Sequence, residues 1–406
     1  MDPFYMCLLA AGLIMHIALC VRSPAWGLVV IFAAAPFPYD LGLGSVKVST
    51  AELLTLMNVV ILIFSHGLKL RGPVFSGVLL YLLTCALSSI MHWRDSAPVV
   101  FFQMVLYLVI AVHAGVRIPR QPSDIAAAFD GLVAAGLFLG TSVLLTGSMY
   151  LFGLHKNSIG GSLSVIFLAA ALLWERERRR LKRWYYLWGM IVSLGGMLVV
   201  ASRGAWLGTI VAMFTVFIFQ RRFRFALRMG LAAIVLIPLL WTLVPDRTKE
   251  YALDLSSHAT NVQDRLKSID LAKRYFEEDV IFGSGVGLRK DYDATNLVMV
   301  LLAETGILGL TSFMLLVVMV FLSFRKSLRQ VRGCPIQWTA LVGICLAIFT
   351  SQIVHGLVDH YWSRGVLVIS WIVVGMSWSL GRMARGYLVE ADVFDSTPTT
   401  PTASAA

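Results

Sequence analysis

NLVMVLLAETGILGL, residues 296–310, decides the fold. Behind a polar pair, Thr295-Asn296, the chain runs apolar to about residue 323, broken early by Glu304, Gly306 and Gly309. A bilayer core about 30 Å thick needs roughly 20 apolar residues in a helix, and this run supplies them. Comparable runs recur near 4–20, 25–38, 49–66, 74–91, 98–116, 125–147, 158–174, 185–201, 204–219, 226–244, 337–358 and 364–381. Inside lipid every backbone N–H and C=O must be satisfied by the segment itself, so these runs read as helices. The period-two alternation of a barrel is absent. The expected fold class is all-α, a polytopic integral membrane helical bundle of about 12 or 13 transmembrane helices. The shortest run, 25–38, ends in Pro36-Phe37-Pro38. Met1-Asp2-Pro3 supplies no positive n-region, so the first span is expected to be retained and not cleaved as a signal peptide.

Composition agrees: 58% of residues are hydrophobic and 14% charged. The net charge of +11 resembles a nucleic-acid signature until it is mapped along the chain. Arg176, Arg178, Arg179, Arg180, Lys182 and Arg183 share one short loop. Arg221, Arg222, Arg224 and Arg228 share a second, and Arg325, Lys326, Arg329 and Arg332 a third. These alternate with loops poor in Lys and Arg, as the positive-inside rule requires, so they are expected to be cytoplasmic and no nucleic-acid partner is implied. The C-terminus follows Arg382 and Arg385 and belongs on the same side. Parity then puts the polar island 245–294 on the outer face.

That island is the one sizeable insertion in a membrane domain spanning 1–387; the tail 388–406, ending STPTTPTASAA, is expected to be disordered and cytoplasmic. The island mixes both charge signs, which suits a folded lid better than a polyanion-binding arm. Asn261 and Asp264 resemble a helix start. Val262, Leu266, Ile269, Ala272 and Phe276 recur at helical spacing, predicting an amphipathic helix over 262–278. The five cysteines form no CxxC and none lies in the island, so neither a disulfide framework nor a zinc site is implied.

Few polar residues stand where chemistry could use them. Arg203 lies at the outer end of a span, in SRGAWLG (202–208). A guanidinium there either snorkels to lipid headgroups or binds a diphosphate through its planar fork of donors. Arg265, one turn into the predicted helix, is either solvated or the second half of a two-arginine clamp. Glu304, an intramembrane carboxylate, is either a functional group or a structural hydrogen-bonding partner for a neighbouring helix. Asp359-His360, with Tyr361, Trp362 and Arg364, reads either as a base beside its orienter or as an interfacial aromatic belt. Asn157 in HKNSIGG could hydrogen-bond sugar. GSGVG (283–287) resembles a phosphate cradle, but no strand–turn–helix context surrounds it, and glycines that turn the chain back into the membrane fit better.

The order of SRGAWLG, then DRLKSIDLAKRYFEEDVIFGSGVG (264–287), then TNLVMVLLAETGILGL (295–310) resembles the O-antigen ligase and O-antigen polymerase superfamily. Members show SRG at a span end, a helix carrying an arginine, a G-x-G, and then HN followed by E-x-G. HKNSIGGSLSV looks like the family's asparagine-containing segment, so the resemblance covers roughly 155–310. It implies a GT-C-like membrane enzyme: a metal-independent, inverting glycosyltransferase that uses no cofactor. Its donor would be a glycan on undecaprenyl diphosphate, and its active face the outer side of a bacterial inner membrane. Membrane lipids are implied as surroundings, with a flippase and a chain-length regulator as possible assembly partners. Carried onto this chain, Arg203 and Arg265 would contact the diphosphate, with Asn157, Thr295 and Asn296 beside the substrate. Glu304 and Gly306 match the E-x-G. The family's HN histidine is Thr295 here, and threonine cannot serve as a base at neutral pH. The resemblance therefore favours a polymerase of repeat units, or a divergent ligase-like member acting on a lipid or protein acceptor, over a lipopolysaccharide ligase. Any base would be His360, His258 or Glu304.

Three other classes compete. A transporter or lipid flippase would place polar groups near the midplane within repeated halves, and no repeat is visible. A lipid-phosphate-sugar glycosyltransferase with paired acids in its first external loop finds only Asp40 there, in 39–48. A structural subunit of a polysaccharide machine would tolerate Arg203→Ala.

Overall fold

A computed structural model describes residues 3–37, 40–43, 46–66, 74–221, 223–242, 244–253, 257–290, 296–358 and 365–396. The chain enters through α1 (Pro3–Arg22) and α2 (Pro24–Ala34), makes a hairpin of β1 (Asp40–Leu43) and β2 (Val46–Ser49), and continues through α3 (Thr50–His66) and α4 (Phe75–Met91). Next come α5 (Ala97–Val105), a π-helical turn (Leu106–Ala111) and α6 (Val112–Arg117), which form one rod, then α7 (Pro122–Thr146). α8 (Lys156–Arg176), α9 (Arg180–Val200), α10 (Arg203–Gln220) and α11 (Phe223–Thr242) lead into the polar island. The island holds α12 (Asp246–Leu253) and α13 (Ser257–Glu278). The chain returns through α14 (Leu297–Gln330), α15 (Ile336–Val358) and α16 (Val366–Ser396).

This is an all-α, multi-pass membrane protein. Seven helices among the described residues are long and apolar enough to cross a membrane: the α5–α6 rod, α7, α8, α10, α14, α15 and α16. Shorter apolar stretches at Gly12–Arg22, Pro24–Ala34, Thr50–Phe64, Phe75–Met91 and Gly230–Thr242 fall where the sequence places further spans. The exposed surface fits lipid better than water. On α10, Ile210, Phe214 and Ile218 recur at helical spacing and stand 65%, 65% and 55% exposed, while Gly204, Gly208 and Ala212 on the opposite face are buried. A soluble protein rarely leaves such a stripe uncovered.

Lipid tails are as apolar as leucine, so helix association inside the bilayer rests on close packing. α6 and α16 cross where Gly115 meets Gly375, and a Cβ on Gly115 would lie 2.0 Å from the Ile372 carbonyl. α10 is wedged between α8 and α15, where Ser164 Oγ lies 2.7 Å from Thr209 Oγ1 and 2.8 Å from Ser351 Oγ. These three hydroxyls join three helices with no charge to desolvate.

The structure departs from the sequence expectations at three places. Between α2 and α3 stands the two-stranded hairpin, paired antiparallel with Asp40 opposite Ser49, where only a loop was expected. The island helix starts at Ser257, so Asn261 lies inside it and does not cap it. The tail, expected to lose regular structure from 388, continues α16 through Ser396; 397–406 lie outside the described residues.

Candidate functional site

The corner between α9 and α10 is two residues long. Ala201 takes a left-handed conformation (φ 49°, ψ 39°) and Ser202 an extended one, leaving Arg203 as the first residue of α10. Arg203 is exposed, and among the described residues its guanidinium has no protein partner. Ser202 holds the N-cap position yet makes no cap bond, and its buried Oγ has no hydrogen-bond partner. A helix N-terminus presents unsatisfied N–H groups and positive potential, so a cation in its first turn is opposed by the dipole unless an anion binds there.

The small residues of SRGAWLG are there to let α10 approach its neighbours. A Cβ on Gly204 would sit 2.6 Å from His355 Cδ2 and 3.2 Å from Val358 Cγ2. One on Gly208 would sit 2.7 Å from the Ser351 carbonyl. On the other flank, a Cβ on Gly160 of α8 would meet Ser202 Cβ at 2.5 Å. Trp206 turns back along α9 and donates its indole N–H to the Met197 carbonyl at 3.0 Å.

Val358, the last residue of α15, is where the separate candidates meet. Arg265 of α13 donates from Nη1 to the Val358 carbonyl at 2.9 Å. Asn296 donates from Nδ2 to the Leu357 carbonyl at 2.6 Å, while its Oδ1 caps α14 by accepting from the Val298 and Met299 N–H groups. Asn157 opens α8 one turn before Gly160, with its backbone N–H bound to His155 Nδ1. Arg265 and Asn296 thus meet at the end of α15, against which α10 packs through Gly204, while the start of α8 packs on Ser202.

A second construction holds the island in place. α14 is broken at Gly306, whose φ of 61° and ψ of −162° fall in a region essentially reserved for glycine. The loop following α13 fills the break. The Ser284 N–H donates to the Ala303 carbonyl at 2.7 Å, Gly285 N–H to the Glu304 carbonyl at 3.1 Å, and Ile307 N–H to the Val280 carbonyl at 3.0 Å. Backbone groups that a helix break would orphan in an apolar setting are thereby paired. Gly283, Gly285 and Gly287 all take positive φ, so GSGVG threads into the helix break and does not cradle a phosphate.

Glu304 fastens this loop. It is fully buried, and its carboxylate accepts from the Arg289 backbone N–H (2.9 Å), Arg289 Nε (2.9 Å), Arg289 Nη2 and the Gly287 N–H (3.3 Å). From the other side, the last turn of α4 and the segment after it clamp the same loop. His92 Nε2 meets Asp279 Oδ2 at 2.9 Å, Arg94 Nε donates to the Ser284 carbonyl at 2.7 Å, and Ser88 Oγ donates to the Glu304 carbonyl at 2.6 Å. Asp279 Oδ1 also accepts the Phe282 and Ile281 N–H groups. The Phe282 N–H foremost, then His92 and the Ile281 N–H, hold the Asp279 carboxyl below its ordinary pKa.

The structure thus brings Arg265 and Asn296 to the end of α15, leaves Arg203 exposed at the start of α10 and Asn157 at the start of α8, and sets Glu304 in a separate ion pair. Thr295 and His360 lie outside the described residues. His258 stands in the first turn of α13, with its side chain outside the described residues. Sequence reasoning overlooked two participants. Arg289 is one of several cations in the island, and the signal available for it is that a buried intramembrane carboxylate demands a cation. His355, buried against Gly204, was overshadowed by His360; a histidine within a span was the available signal. Among the described residues no three His, Cys, Asp or Glu side chains are grouped so as to hold a metal ion.

The O-antigen ligase family model matches residues 188–314, from within α9 to within α14. That stretch, under a third of the chain, is similar to the O-antigen ligase family. The matched stretch contains Arg203, Arg265, Arg289, Asn296, Glu304 and Gly306, so both arginines and the loop-filled helix break fall within it. Asn157 and the end of α15 fall outside it and join the site through packing. No curated protein sequence matches the chain.

Proposed function

We propose that this chain is a glycosyltransferase that takes a glycan from undecaprenyl diphosphate at the outer face of the bacterial inner membrane, as a polymerase of repeat units. The observations that support the reading are that α10 packs against Val358 at Gly204, the residue after Arg203, and that Arg265 donates to the Val358 carbonyl. Two guanidinium groups beside a helix N-terminus suit a diphosphate, whose oxygens accept paired N–H donors. The three basic loops leave the helices at the ends remote from Arg203, which supports an outward-facing site under the positive-inside rule.

In the transfer, the bond from the anomeric carbon to the diphosphate oxygen breaks and one to the acceptor hydroxyl forms on the opposite face, inverting the centre. The arginines neutralise charge on the departing diphosphate, and alignment of the acceptor supplies the rest. The acceptor proton goes to a base. His360, two positions beyond Val358 in sequence, is the first choice, and His258 the second. Glu304 has its acceptor sites occupied by Arg289 and Gly287, so it serves as a positioning residue. No step needs a metal or a cofactor. Thr295, where ligase members carry histidine, is the reason for preferring polymerisation.

A break in a spanning helix is also a transporter feature. Here loop backbone fills it, which favours the enzyme reading. Glycan lengthening by reconstituted protein without ATP or an ion gradient separates the two. In cells, Arg203→Ala is expected to accumulate single repeats on the lipid carrier. Long chains stranded on the carrier would indicate a ligase, and an unchanged glycan profile would refute the role of Arg203.

A further inference from the structure

At the end of the bundle away from Arg203, a cavity of about 400 Å³ opens between the end of α10 and the end of α14. Arg221, Arg325, Arg329 and Arg332 line it, and among the described residues no carboxylate does. Its remaining wall is apolar: Ile218, Phe219 and Leu328. α10 separates it from the proposed transfer site by about 27 Å, the length of an eighteen-residue helix.

Positive charge alone would be ordinary at this end of a membrane protein. The arrangement is not. In the 176–183 loop, Lys182 pairs with Asp130 at 2.7 Å and the Arg183 guanidinium lies 4.8 Å from the Trp174 ring centroid. The four cavity arginines take no acid, carbonyl or ring among the described residues. Arg325 and Arg329 sit one helical turn apart, a spacing at which like charges repel. Arg221 holds a left-handed conformation (φ 55°) that residues other than glycine seldom adopt. Four cations around one cavity, unpartnered among the described residues, leave a concentrated positive potential that an anion would relieve.

We propose that this cavity binds the phosphate headgroup of an anionic membrane phospholipid. The arginines hold the phosphate, and the acyl chains leave past Ile218, Phe219 and Leu328 into the bilayer. The apolar wall argues for a lipid over a soluble phosphate, which would have no use for it. The proposal is independent of the transfer chemistry at the other end.

Native mass spectrometry of the full-length protein, titrated with phosphatidylglycerol or phosphatidylcholine in micelles, tests it. Phosphatidylglycerol should bind preferentially, and each Arg→Gln change at 325, 329 or 332 should weaken it by about fivefold. Arg178→Gln in the other basic loop should change little. Inorganic phosphate at matched concentration should not displace the lipid. Equal binding of the two lipids, undiminished binding by R325Q/R329Q/R332Q, or displacement by inorganic phosphate would each overturn the proposal. Should that triple variant fail to fold, R329Q/R332Q decides by the same criteria, with about a 25-fold loss expected.

Discussion

Glu304 was legible in the sequence as a residue that must have a purpose, because a carboxylate is costly inside a membrane. Which purpose was not legible, since its partner Arg289 is one cation among many in the island and only the folded loop selects it. A buried ion pair is worth little over a well-packed apolar pair, yet removing one member strands the other charge. Glu304→Ala is therefore expected to destabilise the protein by about 3–5 kcal/mol, read as thermal unfolding in detergent. E304L/R289M, which removes both charges, should recover most of the loss. Recovery would identify the pair as structural; a folded but inactive double variant would extend its role to positioning the loop for transfer.

At the scale of elements, the spans were readable because a bilayer imposes length and apolarity on each segment, and the helices fall close to the expected positions. The hairpin at 40–49 escaped notice because two four-residue strands carry too little pattern. The filled break in α14 was half visible: glycines at 283–287 and 306 announced unusual backbone, but their mutual engagement is a tertiary fact. Gly306→Ala should be among the most damaging small changes. Its backbone conformation would cost about 1–3 kcal/mol in any other residue, and its Cβ would meet the Ile281 carbonyl at 2.3 Å. A lowered unfolding temperature with faster deuterium exchange over 280–290 is the expected result, whereas wild-type stability would remove the threaded loop from the account.

The clamp at Asp279 adds a pH dependence to the same element. Its folded pKa is depressed, so its stabilisation is present above the unfolded carboxylate value and is lost as pH falls through the folded one. Exchange protection of the Ile281 and Phe282 amides, corrected for intrinsic rate, should exceed that of Asp279→Asn at neutral pH. The difference should vanish as pH drops below about 4. A difference that persists unchanged in acid would contradict the clamp.

For the whole molecule, the two ends of the bundle carry different chemistry. At one end Arg265 and Asn296 bond to the end of α15 and α10 begins beside it; the other carries the basic loops. The family segment 188–314 brings the arginine pair, while α8 and α15 complete the surroundings from outside it. That completion was not legible in the sequence, because Gly160 and His355 show their value only once α10 lies against both. The central claim is that Arg203 and Arg265 grip one diphosphate together. Purified wild type, R203A, R265A and R203A/R265A, compared in single-turnover transfer from an undecaprenyl-diphosphate-linked glycan, test it directly. Each single variant should lose on the order of 10²–10³ in rate with its unfolding temperature unchanged, and the double variant should lose little more than the worse single. Full activity in either single variant, or losses that multiply independently, would contradict a shared grip.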